Sequence, residues 1–111
     1  MFGFFKSVQS NSVSVEDAYA RAKHGEIRLV DVREANEWSQ IHVPGAIHAP
    51  LSVLVERLPQ LPTDKPLVFY CLSGARSRSA IQICRKLGLP HETDMAGGIT
   101  AWRSAGLPVE P

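Results

Sequence analysis

The sequence predicts an α/β fold, a parallel sheet with helices on both faces. Two observations carry the prediction. From Val13 onward, short apolar runs alternate with amphipathic segments, the pattern of repeated βα units. The most apolar run, Leu67-Val68-Phe69-Tyr70, is continuous rather than alternating, as a strand covered on both faces should be. At 111 residues the chain fits one domain. Its 44% hydrophobic and 21% charged residues are ordinary for a globular protein and exclude a disordered or fibrous chain. No repeat or linker divides it, so residues 1–12 read as an N-terminal extension and residues 13–111 as the domain.

Val13 ends a short first strand, and Ser14 caps a helix from Val15 to about His24, with Asp17 in the capping-box position and Gly25 as its stop. Ile27 to Val32 is aliphatic and β-branched enough for the second strand, and a short helix follows at Ala35–Ser39. After the Pro44-Gly45 turn, Ala46 to Ala49 supplies a third strand. Leu51 to Leu58 reads as a helix with Ser52 as cap and Pro59 as stop. Leu67 to Tyr70 is the central strand. The helix after it places Ala80, Ile83, Cys84 and Leu87 on one face and ends at Gly88. A strand near Glu92 to Met95 and a helix from Ile99 to Ala105, stopped by Gly106 and Pro108, complete the chain.

Twelve basic against eleven acidic residues give a net charge of +1, which offers no general footprint for nucleic acid or an anionic membrane. The longest apolar run is far short of the roughly 20 residues that a membrane-spanning helix needs. Met1 to Lys6 is too short for a secretory h-region, so a reduced, cytoplasmic setting is expected for the two cysteines, Cys71 and Cys84. The histidines His24, His42, His48 and His91 lack metal-ligand spacing, and neither a metal nor a cofactor is expected.

Ligands of parallel sheets bind beyond the carboxyl ends of the strands, which directs attention to Cys71-Leu72-Ser73-Gly74-Ala75-Arg76-Ser77 after the central strand. If these residues turn directly from strand into helix, several backbone N–H groups face a common centre with the positive end of the helix behind them. Bringing an ordinary thiol, with a pKa near 8.5, to half ionisation at neutral pH takes about 1.5 units, or roughly 2 kcal/mol. The amides, the helix end and Arg76 can supply that, Gly74 permits the tight backbone, and Arg76 and Arg78 put positive charge where an anionic substrate enters. Cys84, on the apolar helix face, reads as an inert core thiol.

Four motifs then resemble the single-domain rhodanese family: Leu29-Val30-Asp31-Val32-Arg33 with Glu37-Trp38, His42-Val43-Pro44-Gly45-Ala46-Ile47-His48, Cys71 to Ser77, and Gly97-Gly98 with Ala101-Trp102 and Gly106-Leu107-Pro108-Val109. They occur in the family's order from about Val13 to Val109. The resemblance implies a three-layer sandwich around a parallel sheet of about five strands. It also implies a sulfurtransferase in which Cys71 is the nucleophile and Leu72, Ser73, Gly74, Ala75 and Arg76 form the loop around its persulfide. A small anionic sulfur donor such as thiosulfate, and a thiol, protein cysteine or cyanide as acceptor, are the implied partners. Leu72 and Ser73 are uncharged where thiosulfate-preferring members often place basic residues, which leaves the natural donor open.

Two other readings stand beside this one. A cysteine-dependent phosphatase or arsenate reductase would use a cysteine and an arginine ahead of a helix, but such loops hold five residues between them, and only the four from Leu72 to Ala75 lie between Cys71 and Arg76. The other is a noncatalytic module that senses or delivers sulfur. Asp31 and Arg33 read as a shape-fixing salt bridge near the mouth. His42 and His48 read as hydrogen-bonding to backbone around their turn, Trp38 and Trp102 as packing anchors, and Tyr70 as core on the strand face opposite Cys71.

Overall fold

The computed structural model describes residues 11–111. The expected extension, residues 1–12, lies outside them except for Asn11 and Ser12, which belong to the first strand. Five strands form one sheet in the order β1-β5-β4-β2-β3, all parallel: β1 (Asn11–Val13), β2 (Arg28–Asp31), β3 (Ile47–His48), β4 (Leu67–Tyr70) and β5 (Thr93–Met95). β4 is central, and all four of its residues are buried. Side chains alternate across it. Phe69 and Cys71 join a core layer with Val30, Val32, Leu54, Leu58, Ala80, Ile81 and Cys84, while Val68 and Tyr70 join the opposite layer with Val15, Ala18, Leu29, Met95, Ile99 and Trp102. Tyr70 and Cys71 therefore face opposite ways, as the two-residue period requires.

The helices α1 (Val15–Lys23), α2 (Ala35–Gln40) and α5 (Gly98–Ser104) lie within one or two residues of expectation, α4 (Ala75–Lys86) begins inside the segment expected as loop through Ser77, and the four-residue α3 (Leu54–Arg57) precedes β4. Ser14 accepts the Asp17 amide at 3.0 Å, and Gly25 continues the chain past α1 at φ +73°. Two expectations fail. The helix expected over Leu51–Leu58 is a 3₁₀ turn at Leu51–Val53, one turn of α3, and a second 3₁₀ turn at Leu58–Gln60. Pro59 sits within that last turn instead of stopping a helix, because a proline near a helical start sacrifices no hydrogen bond. Ser52 caps nothing, since its hydroxyl donates to Glu34 Oε1 at 2.7 Å.

The buried face of α4 is also rotated. Ser77, Ala80, Ile81 and Cys84 are buried, Ile83 is half-buried, and Leu87 is 51% exposed. Leu87 caps the helix, where the chain turns at Gly88 (φ +73°), so it never completes the apolar stripe.

Chain connections leave β2 and β4 in opposite directions along the sheet, so a crevice opens between their carboxyl ends. Asp31-Val32-Arg33 lies on one side of it and Cys71 on the other.

Candidate active site

Cys71 follows directly on β4 and is 1% exposed. The next residues bend back under it. Gly74 takes φ +134°, a conformation only glycine adopts readily, and its N–H donates to Cys71 Sγ at 3.1 Å. The bend is tied down from behind by α5: the amides of Ile99 and Thr100 donate to the carbonyls of Cys71 and Leu72 at 2.9 and 3.0 Å. With those carbonyls held outward, the following amides turn toward the sulfur. Gly98 makes this possible, because a Cβ there would overlap the Leu72 carbonyl and lie 2.5 Å from that of Cys71.

Burial by itself raises the thiol pKa, but hydrogen bonds from the amides of Ser77, Gly74 and Ser73 and from the Ser77 hydroxyl outweigh it, and the net shift is downward. The Gly74 amide makes the direct bond to the sulfur, and the amides of Ser73 and Ser77 add to its pull. Ser77 lies one residue beyond the expected loop of Leu72 to Arg76. Its hydroxyl stands 3.8 Å from Cys71 Sγ, 3.0 Å from the Gly74 carbonyl and 3.1 Å from Asp94 Oδ2. In the sequence it closes the Cys71–Ser77 segment, and its place one helical turn past Gly74 is the signal for its role. Leu72 points outward, 46% exposed.

Arg76 does not aim a free charge at the loop. Its guanidinium forks onto Glu37 of α2 at 2.6 and 2.9 Å. Glu37 in turn accepts the Glu34 amide at 3.0 Å, and the hydrogen bonds from Arg76 are the main reason its carboxyl falls to about 2. The pair pins α2 to the start of α4. The cations beside the loop with no carboxylate within 4.0 Å, among the described residues, are Arg78 and Arg103. Arg78 lies across Gly74, and Arg103 lines an open groove of about 530 Å³ with Leu72, Thr100, Arg33, Glu37 and Ile41. An anion approaching Leu72 meets Arg103, while Arg78 covers the other side of the bend.

A depressed carboxyl stabilises the fold fully above its unfolded pKa and loses that contribution as pH falls through its folded value. Stability should therefore decline as pH drops from about 4.5 to about 2, in part through Glu37. Glu37→Gln should remove this part, on the order of 1 kcal/mol after solvent screening of a roughly one-quarter-exposed side chain. Urea unfolding of both proteins at a series of pH values checks it. Parallel curves would show that the pair contributes nothing.

Asp31 and Arg33 form the salt bridge expected of them, and both are buried. Arg33 Nη2 meets Asp31 Oδ2 at 2.8 Å and donates to the Ile41 carbonyl at 2.7 Å.

A family model described as the Rhodanese-like domain matches residues 14–105. The chain belongs to the rhodanese-like family. It is similar to a sulfurtransferase of Allochromatium vinosum, 36% identical over 84 residues that cover 76% of this chain and 78% of the relative. It is also similar to a helix-turn-helix type transcriptional regulator of Mycobacterium tuberculosis, 38% identical over 105 residues covering 87% of this chain. This rhodanese-like chain spans only 46% of the regulator's length. Among solved structures, a rhodanese-related protein from Thermoplasma volcanium superposes with a TM-score of 0.79 at 33% identity, covering 90% of this chain and 97% of that one.

The remaining candidates of this rhodanese-like domain lie away from the sulfur or serve the framework. Cys84 is wholly buried, and burial pushes its thiol up to about 11. Trp102 packs in the core and donates from Nε1 to the Pro108 carbonyl at 2.7 Å. Trp38 is only half-buried. It stacks on His42 (3.6 Å between centroids) and His48 (4.6 Å), and these imidazoles bond the carbonyls of Trp38 and Arg33. Among the described residues no three His, Cys, Asp or Glu side chains are placed to hold a metal ion, and no helix is long and apolar enough to cross a membrane.

Proposed function

We propose that the chain is a sulfurtransferase that carries one sulfane sulfur as a persulfide on Cys71, with Ser73, Gly74 and Ser77 as the donors that stabilise its charge. The observation that carries this reading is the 3.1 Å hydrogen bond from the Gly74 amide to Cys71 Sγ, inside a bend with four residues between Cys71 and Arg76. Such a cradle suits a single-atom cargo better than a tetrahedral oxyanion plus a nucleophile.

In the first half-reaction the Cys71 thiolate attacks the sulfane sulfur of a donor such as thiosulfate. An S–S bond forms to Cys71, the donor S–S bond breaks, and sulfite leaves with the electron pair. In the second, an acceptor nucleophile takes the outer sulfur, and the Cys71 thiolate leaves. Cyanide serves as acceptor in an assay, and a small thiol or a protein cysteine serves in a reducing cytoplasm. No cofactor enters either step. Leu72 and Ser73 carry no charge, so the pull on an anionic donor falls to Arg103 and Arg78.

The test is intact mass after thiosulfate treatment and again after cyanide, with peptide mapping. A gain of one sulfur on Cys71 that cyanide removes is expected, and Cys71→Ser should abolish it while Cys84→Ser keeps it. Sulfur mapped to Cys84, or turnover of a phosphate ester with no sulfur gained from thiosulfate or mercaptopyruvate, would overturn the reading.

A further inference from the structure

Asp94 on β5 is 2% exposed, yet no Lys, Arg or His nitrogen lies within 4.0 Å of it among the described residues. A buried carboxylate ordinarily has a cation beside it. Here two hydroxyls satisfy it: Ser12 of β1 donates to Oδ1 at 2.6 Å, and Ser77 of α4 donates to Oδ2 at 3.1 Å. The strand register brings them together, since Asp94 pairs with Ser12 on one side and with Phe69, two residues before Cys71, on the other.

Ser77 has one hydroxyl proton and three neighbours able to accept it: the Gly74 carbonyl, Asp94 and, once ionised, Cys71 Sγ. While Cys71 is a thiol there is no conflict. The S–H donates to Ser77 Oγ at 3.8 Å, and the Ser77 O–H is shared between Asp94 at 3.1 Å and the Gly74 carbonyl at 3.0 Å. When Cys71 becomes a thiolate it needs donors, and the hydroxyl proton that could reach it is the one for which Asp94 and the Gly74 carbonyl compete.

We propose that Asp94 is a positioning residue that sets the thiolate population of Cys71 by competing with it for the Ser77 proton. Asp94 shares the Ser77 hydroxyl with the sulfur and so weakens that hydroxyl's support of the thiolate, leaving most of it to the backbone amides of Ser73, Gly74 and Ser77. The one bond to sulfur that breaks is S–H, and its electron pair stays on the sulfur. A single hydroxyl rotates, and the Cys71 proton leaves to solvent.

Asp94→Asn removes the carboxylate's claim and lets the Ser77 hydroxyl turn to the sulfur. The Cys71 pKa should then fall by roughly one pH unit, the scale of one hydrogen bond to a charged group. Ser77→Ala should raise it. In the Ser77→Ala background, Asp94→Asn should have almost no effect, which separates a claim on the hydroxyl from a through-space charge. Among the described residues, the other charged groups around the loop are Arg76 and Arg78 on α4, Arg103 on α5, Glu37 on α2 and the Asp31–Arg33 pair after β2, while β1 presents the Ser12 hydroxyl; these stay in place in every variant.

The measurement is thiolate ultraviolet absorbance against pH, taken as a difference from Cys71→Ser. Burial pushes the Cys84 thiol up to about 11, and the difference removes its signal. The proposal rests on the reading of Cys71 as the working thiolate, but this titration needs no sulfur donor, so it succeeds or fails independently of persulfide formation. An unchanged or raised pKa in Asp94→Asn would overturn it, as would an equal drop in both backgrounds. Should Asp94→Asn not fold, Ser12→Ala serves: stripped of one donor, Asp94 holds Ser77 harder, and the Cys71 pKa should rise. A fall there would equally overturn the proposal.

Discussion

Gly98→Ala is expected to lower stability by about 2–5 kcal/mol and to abolish sulfur loading of Cys71 even at temperatures where the variant stays folded. Two penalties combine. The residue sits at φ +61°, where an L side chain is strained, and the new methyl would press into the carbonyls of Cys71 and Leu72. Neither carbonyl can retreat cheaply, because both are held by the first amides of α5. Relief requires α5 to move away from the bend. That frees the two carbonyls to rotate and turns the amides of Ser73 and Gly74 away from the sulfur. Gly106→Ala is the control, because it carries the same kind of positive φ (+75°) with nothing near the added methyl. Thermal unfolding and persulfide mass on both variants check the expectation. Normal loading by Gly98→Ala would mean that the close approach of α5 does not shape the cradle.

How much of this was legible in the sequence follows from what each feature depends on. β4 and its loop were readable because they are local: a continuous apolar run, then a cysteine, a glycine and an arginine at fixed offsets. Ser14, Gly25 and Gly88 punctuate helices by chemistry that needs no tertiary partner. The contacts that tune the site were not readable. Arg76 and Glu37 lie 39 positions apart, and Ser12 and Asp94 lie 82 apart. Only the sheet order, which puts β5 between β1 and β4, brings Asp94 to Ser77. Leu87 departs from its expected place because periodicity cannot say where a helix ends relative to its own stripe, and Ser52 because its partner, Glu34, is on another segment.

Asp31→Asn is expected to destabilise the fold by roughly 3–5 kcal/mol, a large share of the total for a domain of this size. Asp31 is 0% and Arg33 3% exposed, so removing the carboxylate leaves a guanidinium buried without a counter-ion. Asparagine keeps the shape and can still accept the Arg33 amide, now bonded to Oδ1 at 2.8 Å, so the loss reports the charge rather than a cavity. Arg33 cannot escape to water easily. Its Nη2 holds the Ile41 carbonyl, and its own carbonyl accepts from His48 Nε2 at 2.8 Å. The same carboxylate adds to burial in keeping the neighbouring Tyr70 hydroxyl protonated, with its pKa raised, and that hydroxyl accepts the Val43 amide at 3.1 Å. The pair thus fixes both the end of β2 and the turn that precedes β3. Combining Asp31→Asn with Arg33→Met should recover much of the loss, since a buried pair costs most when one partner alone is removed. Denaturant unfolding of the single and double variants decides the matter. A double variant no more stable than Asp31→Asn would show that the loss comes from the hydrogen bonds around Arg33 and not from its unpaired charge.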